Sequence, residues 1–290
     1  MALVAIGRRE LARLAMGGAV AVITGCARGT GELDPPERLT GPWDRYVPGS
    51  KREVDHAPLA ILLERYVLKR SDGVHLFAYG DVTQADRADL DSYIRGMAGF
   101  AVDSLDRREQ YAFWLNLYNA LVLRLVLSRY FILSIKDIGF GLGPLGDGPF
   151  ERGLVKVLGR PVSLSDIRER ILWPIFKDSR LHYGLCDAAI GSPNLQPQVF
   201  TGERVDRMLD GAALDFVNHP RGARHDGGEL VLSALYRRHS TAFGGTFAEI
   251  LAHLRLYADG ALLPHLRGAK TARYAFDWSL NDGTGLRNLR

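Results

Sequence analysis

The sequence predicts an α+β fold, in which a mainly helical single domain over residues 53–290 wraps around a small β-sheet. Two observations support this fold class. Most segments with regular hydrophobic spacing repeat every three or four residues, which is typical of amphipathic helices. The strand candidates between them are short and about half as numerous as the helices, and such strands form small sheets covered by helices.

The chain before this domain has the composition of an export signal. Arg8 and Arg9 give a basic flank, residues 14–25 are almost all small or apolar, and two small residues precede Cys26. A membrane-spanning helix needs about 20 apolar residues, so residues 1–25 are predicted to be a cleaved signal peptide. The Arg-Arg-x-Leu pattern suits the twin-arginine export route.

We therefore expect Cys26 to carry a lipid that anchors the protein in the bacterial cell envelope, facing the periplasm. Arg28 stands where lipoproteins kept at the inner membrane usually carry aspartate, so the outer membrane is favoured in a host with two membranes. Residues 26–52 are rich in glycine, proline and charge, a composition that predicts a flexible tether.

The elements of the domain follow in order from these patterns. The strongest helical pattern has a wide apolar stripe, and Pro174 is expected to end or kink the fourth helix. The predicted helices are residues 57–70, 86–101, 106–130, 165–177, 203–218, 233–240 and 244–258. The predicted strands are residues 153–158, 181–187, 229–232 and 272–278.

Composition excludes several classes of protein. The formal net charge is +4, and it falls to +2 without residues 1–25. No run of lysine and arginine with interleaved aromatic residues remains, so we predict no nucleic-acid partner. The chain has two cysteines. If Cys26 is lipidated, Cys186 has no partner, which excludes a disulfide framework and a thiolate metal cage and favours a buried, unreactive thiol.

A glycine-rich stretch at residues 139–149 contains the pattern G-x-G-x-x-G. In dinucleotide-binding proteins this pattern opens a helix whose amide groups bind the pyrophosphate. Here Pro144 lies inside the pattern and Asp147-Gly148-Pro149 follows it, so no helix begins. We predict a flexible surface loop that could close over a pocket, and no nucleotide cofactor.

Polar residues that could do chemistry fall into two groups. Asn116 and Asn119 lie three apart on the helix at 106–130, so they share one side of it. A buried amide needs hydrogen-bond partners, so each asparagine either holds neighbouring backbone or orients a ligand or catalytic group. The second group lies within residues 178–197: His182, Cys186, Asp187, Ser192 and Asn194.

The second group limits the possible catalytic pairs. If residues 181–187 form a strand, His182 and Cys186 lie on one face about 13 Å apart, too far for a Cys–His dyad. A turn at Gly191-Ser192-Pro193 could bring Ser192 back to His182 as nucleophile and base. Elsewhere, His219 and His225 lack a metal-ligand spacing, and His239 and His253 have the pattern of surface or helix-edge residues. We predict no metal site and no cofactor.

Three parts of the chain resemble a known family. They are residues 111–120 (YAFWLNLYNA) with 134–138 (SIKDI), residues 182–185 (HYGL) with 191–195 (GSPNL), and residues 276–281 (FDWSLN). Over about residues 53–282 the chain is similar to the uncharacterised domain of unknown function 547 of bacteria and plants. Its members generally carry an Asn-Cys pair after the histidine segment and a cysteine before the proline. Here Cys186-Asp187 and Ser192 stand at those positions, so the resemblance implies a fold and a pocket, but no thiol chemistry.

Three functions remain open. The favoured one is an envelope-anchored binding or accessory module, whose polar cleft takes a small molecule, peptide or glycan. Its candidate ligand-binding residues are Trp114, Asn116, Asn119, Asp187 and Asn194. The alternative is a serine-type hydrolase or acyl transferase in which Ser192 is the nucleophile and His182 the base. The third is a structural role without a cleft.

Overall fold

The fold is built around one long buried helix. The computed structural model describes residues 41–139 and 148–286, and in these residues the chain is mainly helical with small sheets, which confirms the predicted fold class. The helices are α1 Ala57–Tyr66, α2 Gln84–Gly99, α3 Arg107–Leu127, α4 Trp173–Phe176, α5 Leu181–Gly184, α6 Val205–Val217, α7 Ala234–Arg238, α8 Phe247–Arg255 and α9 Leu263–Gly268. A π-helical turn, Asp166–Leu172, leads directly into α4.

Short 3-10 turns connect several of these helices. They are Pro42–Asp44, Tyr79–Asp81, Val102–Ser104, Ile135–Asp137 and Ser240–Phe243. The strands are β1 Val67–Lys69, β2 His75–Phe77, β3 Val155–Val157, β4 Arg160–Val162, β5 Ala223–Asp226, β6 Glu229–Ser233 and β7 Arg273–Ala275. The predicted signal peptide, Cys26, the first part of the tether and most of the glycine-rich loop lie outside the described residues. None of the described helices is long and apolar enough to cross a bilayer.

The central helix α3 begins where the sequence predicts. The Asp106 side chain caps it by accepting a hydrogen bond from the Arg108 amide at 3.1 Å, which satisfies one of the free amide groups at a helix start. Of its 21 residues, 17 are buried. A helix that is buried on almost every side forms the centre of a core rather than a wall of it.

In residues 41–139 and 148–286 the seven strands form three small sheets rather than one. β1 pairs with β2 and β3 pairs with β4, both antiparallel. In the third sheet β6 is central, antiparallel to β5 and parallel to β7. The predicted strands near β3, β6 and β7 are present, whereas β1, β2, β4 and β5 are not among the predicted ones. The helix predicted over residues 57–70 ends at Tyr66, because Val67 begins a strand that pairs with Phe77.

The strand predicted at residues 181–187 is wrong. Leu181–Gly184 forms the helical turn α5, and the chain becomes extended at Leu185. Asp178 starts this turn, because its side chain accepts a hydrogen bond from the Arg180 amide at 2.9 Å. The side chains of His182 and Cys186 therefore do not alternate as they would along a strand.

Apolar side chains form two clusters that share Trp173 at their boundary. The larger cluster surrounds α3 and includes Trp43 and Trp114, whose rings meet edge to face with centroids 6.1 Å apart. The smaller cluster lies between α6 and the β5–β6–β7 sheet, with Phe216 and Tyr236 fully buried in it. Parts of the chain distant in sequence meet at the joint between these clusters.

Candidate functional site

A cleft of about 470 Å³ lies at the edge of the larger cluster, against which its lining residues Phe150 and Trp278 pack. Its volume is within the range of small-molecule sites, which is roughly 300–1,000 Å³. Six separate parts of the described chain line it, and most of the lining side chains are charged or aromatic. The lining residues are Lys136, Gly148, Pro149, Phe150, Glu151, Ser165, Arg168, Glu169, Asp187, Arg238, His239 and Trp278.

Two short helical turns bring cleft residues to their places. A capping box holds the turn that carries Lys136: the Ser134 side chain accepts from the Lys136 amide, and the Asp137 side chain accepts from the Ser134 amide. The second turn is the π-helical one, Asp166–Leu172, which carries the neighbouring cleft residues Arg168 and Glu169. Single π-helical turns are rare and are frequently found at functional sites.

Close backbone contact places Trp278 at the cleft. The Gly191 amide donates to the Asp277 carbonyl, and the Ile190 amide donates to the Ser279 carbonyl, both at 2.8 Å. A Cβ atom on Gly191 would lie 2.6 Å from the Asp277 nitrogen, so a larger residue would push the C-terminal segment away. This glycine thus holds Trp278 in the vicinity of Asp187.

The back of the cleft is a buried ion pair. Arg168 Nη2 donates to Asp187 Oδ1, and both groups contact the Tyr118 hydroxyl, each at 2.6 Å. Burial, the largest single influence, acts to lower the pKa of Arg168, but Asp187, Tyr118 and Glu169 together outweigh burial and raise that pKa. Burial also raises the pKa of Tyr118 well above its ordinary value, so the phenol stays protonated and donates to Asp187. The charges of Arg168 and Asp187 therefore compensate each other.

A histidine–carboxylate pair forms the next part of the wall. His239 Nδ1 lies 2.9 Å from Glu169 Oε1. Burial, and after it the positive charge of Arg168, lower the pKa of His239 to about 3. The imidazole is therefore neutral near pH 7, and its contact with Glu169 assigns the proton to Nδ1. Nε2 is then left as a hydrogen-bond acceptor.

The mouth of the cleft is aromatic and cationic. Arg238 Cζ lies 4.8 Å from the centroid of the Trp278 ring and 4.2 Å from that of Phe276, while Lys136 Nζ lies 5.1 Å from Trp278. These are cation–π distances. Within residues 41–139 and 148–286, neither Arg238 nor Lys136 forms an ion pair with a carboxylate.

The family comparison agrees with the resemblance in the motifs. Residues 102–217 match the family model described as "Protein of unknown function, DUF547". This stretch of the chain is similar to the DUF547 family. No curated protein and no solved structure matches the chain.

The DUF547 match covers only part of the cleft. It includes α3, Lys136, the π-helical turn and Asp187, which together supply the buried ion pair. Arg238, His239 and Trp278 lie beyond residue 217, so the mouth of the cleft combines Lys136 from the matched stretch with residues from the segment that follows it.

The predicted catalytic pair is not formed. Ser192 is fully buried, and its Oγ accepts a hydrogen bond from the Asp187 amide at 3.0 Å. His182 is also buried, and neither of its ring nitrogens has a hydrogen-bond partner in the described part of the chain. Its ring stacks on His239 with centroids 4.4 Å apart, so His182 backs a cleft residue. Burial lowers the pKa of His182 well below its ordinary value, with a further contribution from His239.

The two asparagines of α3 hold backbone. Asn116 donates to the Phe200 carbonyl at 2.8 Å and accepts from the Phe200 amide at 3.0 Å. Asn119 donates to the Gly184 carbonyl at 2.9 Å and accepts from the Cys186 amide at 3.0 Å. The sequence left open whether these asparagines hold neighbouring backbone or orient a ligand or catalytic group, and in the structure both hold backbone.

Two other predicted ligand-binding residues also lie away from the cleft. Asn194 accepts from the His75 amide and donates to the Gly73 carbonyl, at 2.8 and 2.9 Å, so it holds the β1–β2 hairpin. Trp114 is fully buried in the core. Asp187 is the one member of the predicted set that lines the cleft.

Cys186 has no nucleophilic character. It is a buried free thiol, and Asn281 Nδ2 approaches its sulfur at 3.8 Å. Burial raises its pKa to about 12, so at neutral pH it is almost entirely in the unreactive thiol form. Among the residues described here, no group of three histidine, cysteine or acidic side chains is arranged to hold a metal ion.

Sequence reasoning missed most of the cleft. His239 was expected at the surface or at a helix edge; it follows the last residue of α7, but only 13% of its side chain is exposed and it lines the cleft. His253 is likewise engaged, because its Nε2 lies 2.8 Å from the Tyr183 hydroxyl. Lys136 and Trp278 stand inside two of the motifs that carry the family resemblance, and that position was the available signal for them.

Proposed function

We propose that this domain is a ligand-binding module, and that its ligand is a small polar molecule, peptide end or glycan bound in the cleft beside Trp278. The observation that carries the proposal is the pair Arg238 and Lys136, which lie over the Trp278 ring with no carboxylate partner in the described residues. Behind them the Arg168–Asp187 pair is closed and rigid. Such a wall suits recognition, because its groups are already oriented before a ligand arrives.

Binding is favoured over nucleophilic catalysis by what the reactive groups do. An activated serine or cysteine needs a base within hydrogen-bond reach. Ser192 instead contacts the Asp187 amide, and the Cys186 thiol is buried with a raised pKa. The resemblance to DUF547 proteins places an aspartate, Asp187, where a cysteine is usual, and this aspartate is committed to Arg168.

We further propose that the module works outside the cytoplasm, as a lipoprotein attached through Cys26 and favouring the outer membrane. The support is the basic flank, the apolar run and the small residues before Cys26. Growth with a clickable fatty acid tests this: the wild type should incorporate the label and fractionate with membranes, and Cys26→Ser should lose both properties. Equal labelling of the two proteins would contradict the anchor.

The binding proposal is tested with the full-length protein and a library of metabolites, short peptides and sugars. A ligand should raise the melting temperature of the wild type, and Arg238→Ala should weaken its affinity by about 10- to 100-fold, as expected for a lost charge-assisted hydrogen bond. Trp278→Ala should also weaken binding.

The neighbouring residue provides a matched control. Arg237 makes a similar cation–π contact, 5.1 Å from the Tyr274 centroid, but it does not line the cleft. Arg237→Ala should therefore bind as the wild type does. A library with no binder, or an Arg238→Ala variant of unchanged affinity for every binder, would contradict the proposal.

A further inference from the structure

The charges of the cleft divide into compensated and uncompensated groups. Arg168 and Asp187 form a closed pair, and His239 is neutral. That leaves Arg238 and Lys136 as cations, and Glu169 and Glu151 as anions. Among the described residues, none of these four lies within ion-pair distance of a group of opposite charge; Glu169 contacts the neutral His239 and interacts at longer range with Arg168, which Asp187 already neutralises.

The two kinds of uncompensated charge come from different parts of the chain. The cations are gathered at Trp278, from the turn after α3 and from the end of α7. Glu169 is carried by the π-helical turn, where His239 orients its carboxylate. Its side chain is 27% exposed, so it remains within reach of a molecule in the cleft. The cleft is therefore dipolar and not simply cationic.

A purely anionic ligand fits this arrangement poorly. It would be attracted by Arg238 and Lys136 but repelled by Glu169. This repulsion is strong because the surrounding protein weakens solvent screening in the cleft. A purely cationic ligand meets the reverse problem. A molecule that carries both charges gains binding energy from the cations at Trp278 and from Glu169, because each of its charges then faces an opposite charge.

We infer that the ligand is dipolar, with an oxyanion held by Arg238 and Lys136 and an ammonium group held by Glu169. The inference rests on the proposed binding function and names the class of ligand for that same cleft. His239 Nε2, an acceptor when Nδ1 carries the proton, is a second partner for the ammonium group. Two sources share this chemistry: an amino acid or short peptide, and a phosphoethanolamine group.

Probe ligands that differ by one charge test the inference on the wild-type protein. The first set is the dipeptide alanyl-alanine, its N-acetyl form and its C-terminal amide. The second set is glycerophosphoethanolamine and the methyl ester of glycerophosphate, both phosphodiesters with one negative charge, of which only the first has an ammonium group. Titration calorimetry should show the doubly charged member of at least one set binding tenfold or more tightly than its singly charged relatives, and the set that shows it identifies the source.

Variants locate the two charges. Glu169→Gln keeps an oxygen that can accept from His239, so the wall should remain in place while the negative charge is removed. It should weaken the doubly charged probe about tenfold and leave its N-acetyl or methyl-ester relative unchanged. Arg238→Ala should weaken all oxyanion probes, and Arg237→Ala none. Melting curves of each variant establish that it is folded.

The outcomes separate this inference from the binding proposal. If singly charged probes bind as well as doubly charged ones and depend on Arg238, the dipolar ligand is excluded and the binding function stands. If no probe binds up to its solubility limit, the dipolar ligand is also excluded, while the library screen decides the binding function. If the doubly charged probe binds equally to wild type, Glu169→Gln and Arg238→Ala, both are overturned for this cleft.

Discussion

The buried Arg168–Asp187 pair gives the most demanding test of the structure. Asp187→Asn removes one charge but keeps an oxygen that can accept from the Tyr118 hydroxyl, so the variant isolates the loss of the ion pair. Arg168 is 9% exposed and Asp187 5%. The Arg168 guanidinium would then lose its hydrogen-bonded counter-charge and keep only the weaker attraction of Glu169, and breaking a buried pair in this way costs about 3–5 kcal/mol.

That cost is a large part of the stability of a domain, which is about 5–15 kcal/mol. Urea denaturation followed by circular dichroism measures it. With a denaturant slope of about 3 kcal/mol per molar urea, the unfolding midpoint should fall by roughly 1–2 M. The double variant Arg168→Met/Asp187→Leu should be more stable than Asp187→Asn, because it buries no unpaired charge.

An exposed ion pair is the matched control. Asp226 faces Arg224 and Arg273 at 3.7 and 3.5 Å, and 55% of its side chain is exposed. Asp226→Asn should cost less than about 1 kcal/mol, as surface pairs do. If Asp187→Asn proved no more costly than Asp226→Asn, the buried pair could not be the rigid wall on which the cleft depends.

Three further predictions concern the rest of the fold. Burial lowers the pKa of His56 to about 4, so as the pH falls the unfolded chain binds a proton at His56 before the folded chain does. The contribution of His56 to stability should therefore be complete above about pH 6.5 and decline towards pH 4. In urea titrations at several pH values, His56→Gln should reduce the slope of stability against pH by about 1.4 kcal/mol per pH unit. Asn116→Ala leaves the Phe200 amide and carbonyl unpaired, so urea denaturation should show the free energy of unfolding reduced by about 2–4 kcal/mol. A reduction under about 1 kcal/mol would show that water takes the place of the Asn116 side chain. Cys186 in a Cys26→Ser background should react with a thiol reagent at pH 8 only after denaturant is added, and rapid labelling of the folded protein would contradict its burial.

Much of the fold could be predicted because its signals are local. The helix α3 follows from a capping aspartate and a long apolar pattern, and α8 begins at a capping box in which Thr246 and Glu249 exchange hydrogen bonds. The strand β1 was missed because residues 57–66 set a helical period that its few residues continue. α5 was missed because its four residues are too few to show a helical period. This short turn is stabilised by side chains just before it: Asp178 accepts from the Arg180 amide, and the Arg180 guanidinium binds Asp206 and Asp210.

The cleft could be predicted only in part, because its signals are not local. Asp187 was identified from the polar residues around it in sequence. Arg238 and Trp278 lie more than 50 and 90 residues further along the chain, and they reach Asp187 only through the β6–β7 pairing and the contact of Gly191 with Asp277. No pattern in a short stretch of sequence predicts that residues so far apart in the chain come into contact.

The distribution of the cleft residues along the chain bears on which substitutions should change ligand binding and which should change stability. The DUF547 match ends at residue 217 and supplies the rigid back wall, with Asp187 and Arg168 compensating each other. At the mouth, Arg238 and Trp278 come from the segment after the match, whereas Lys136 lies within it. A change at the mouth can therefore alter which ligand is bound without disturbing the buried pair that holds the domain together. Ligand specificity should accordingly follow substitutions at Arg238 and Trp278, and stability should follow substitutions at Arg168 and Asp187.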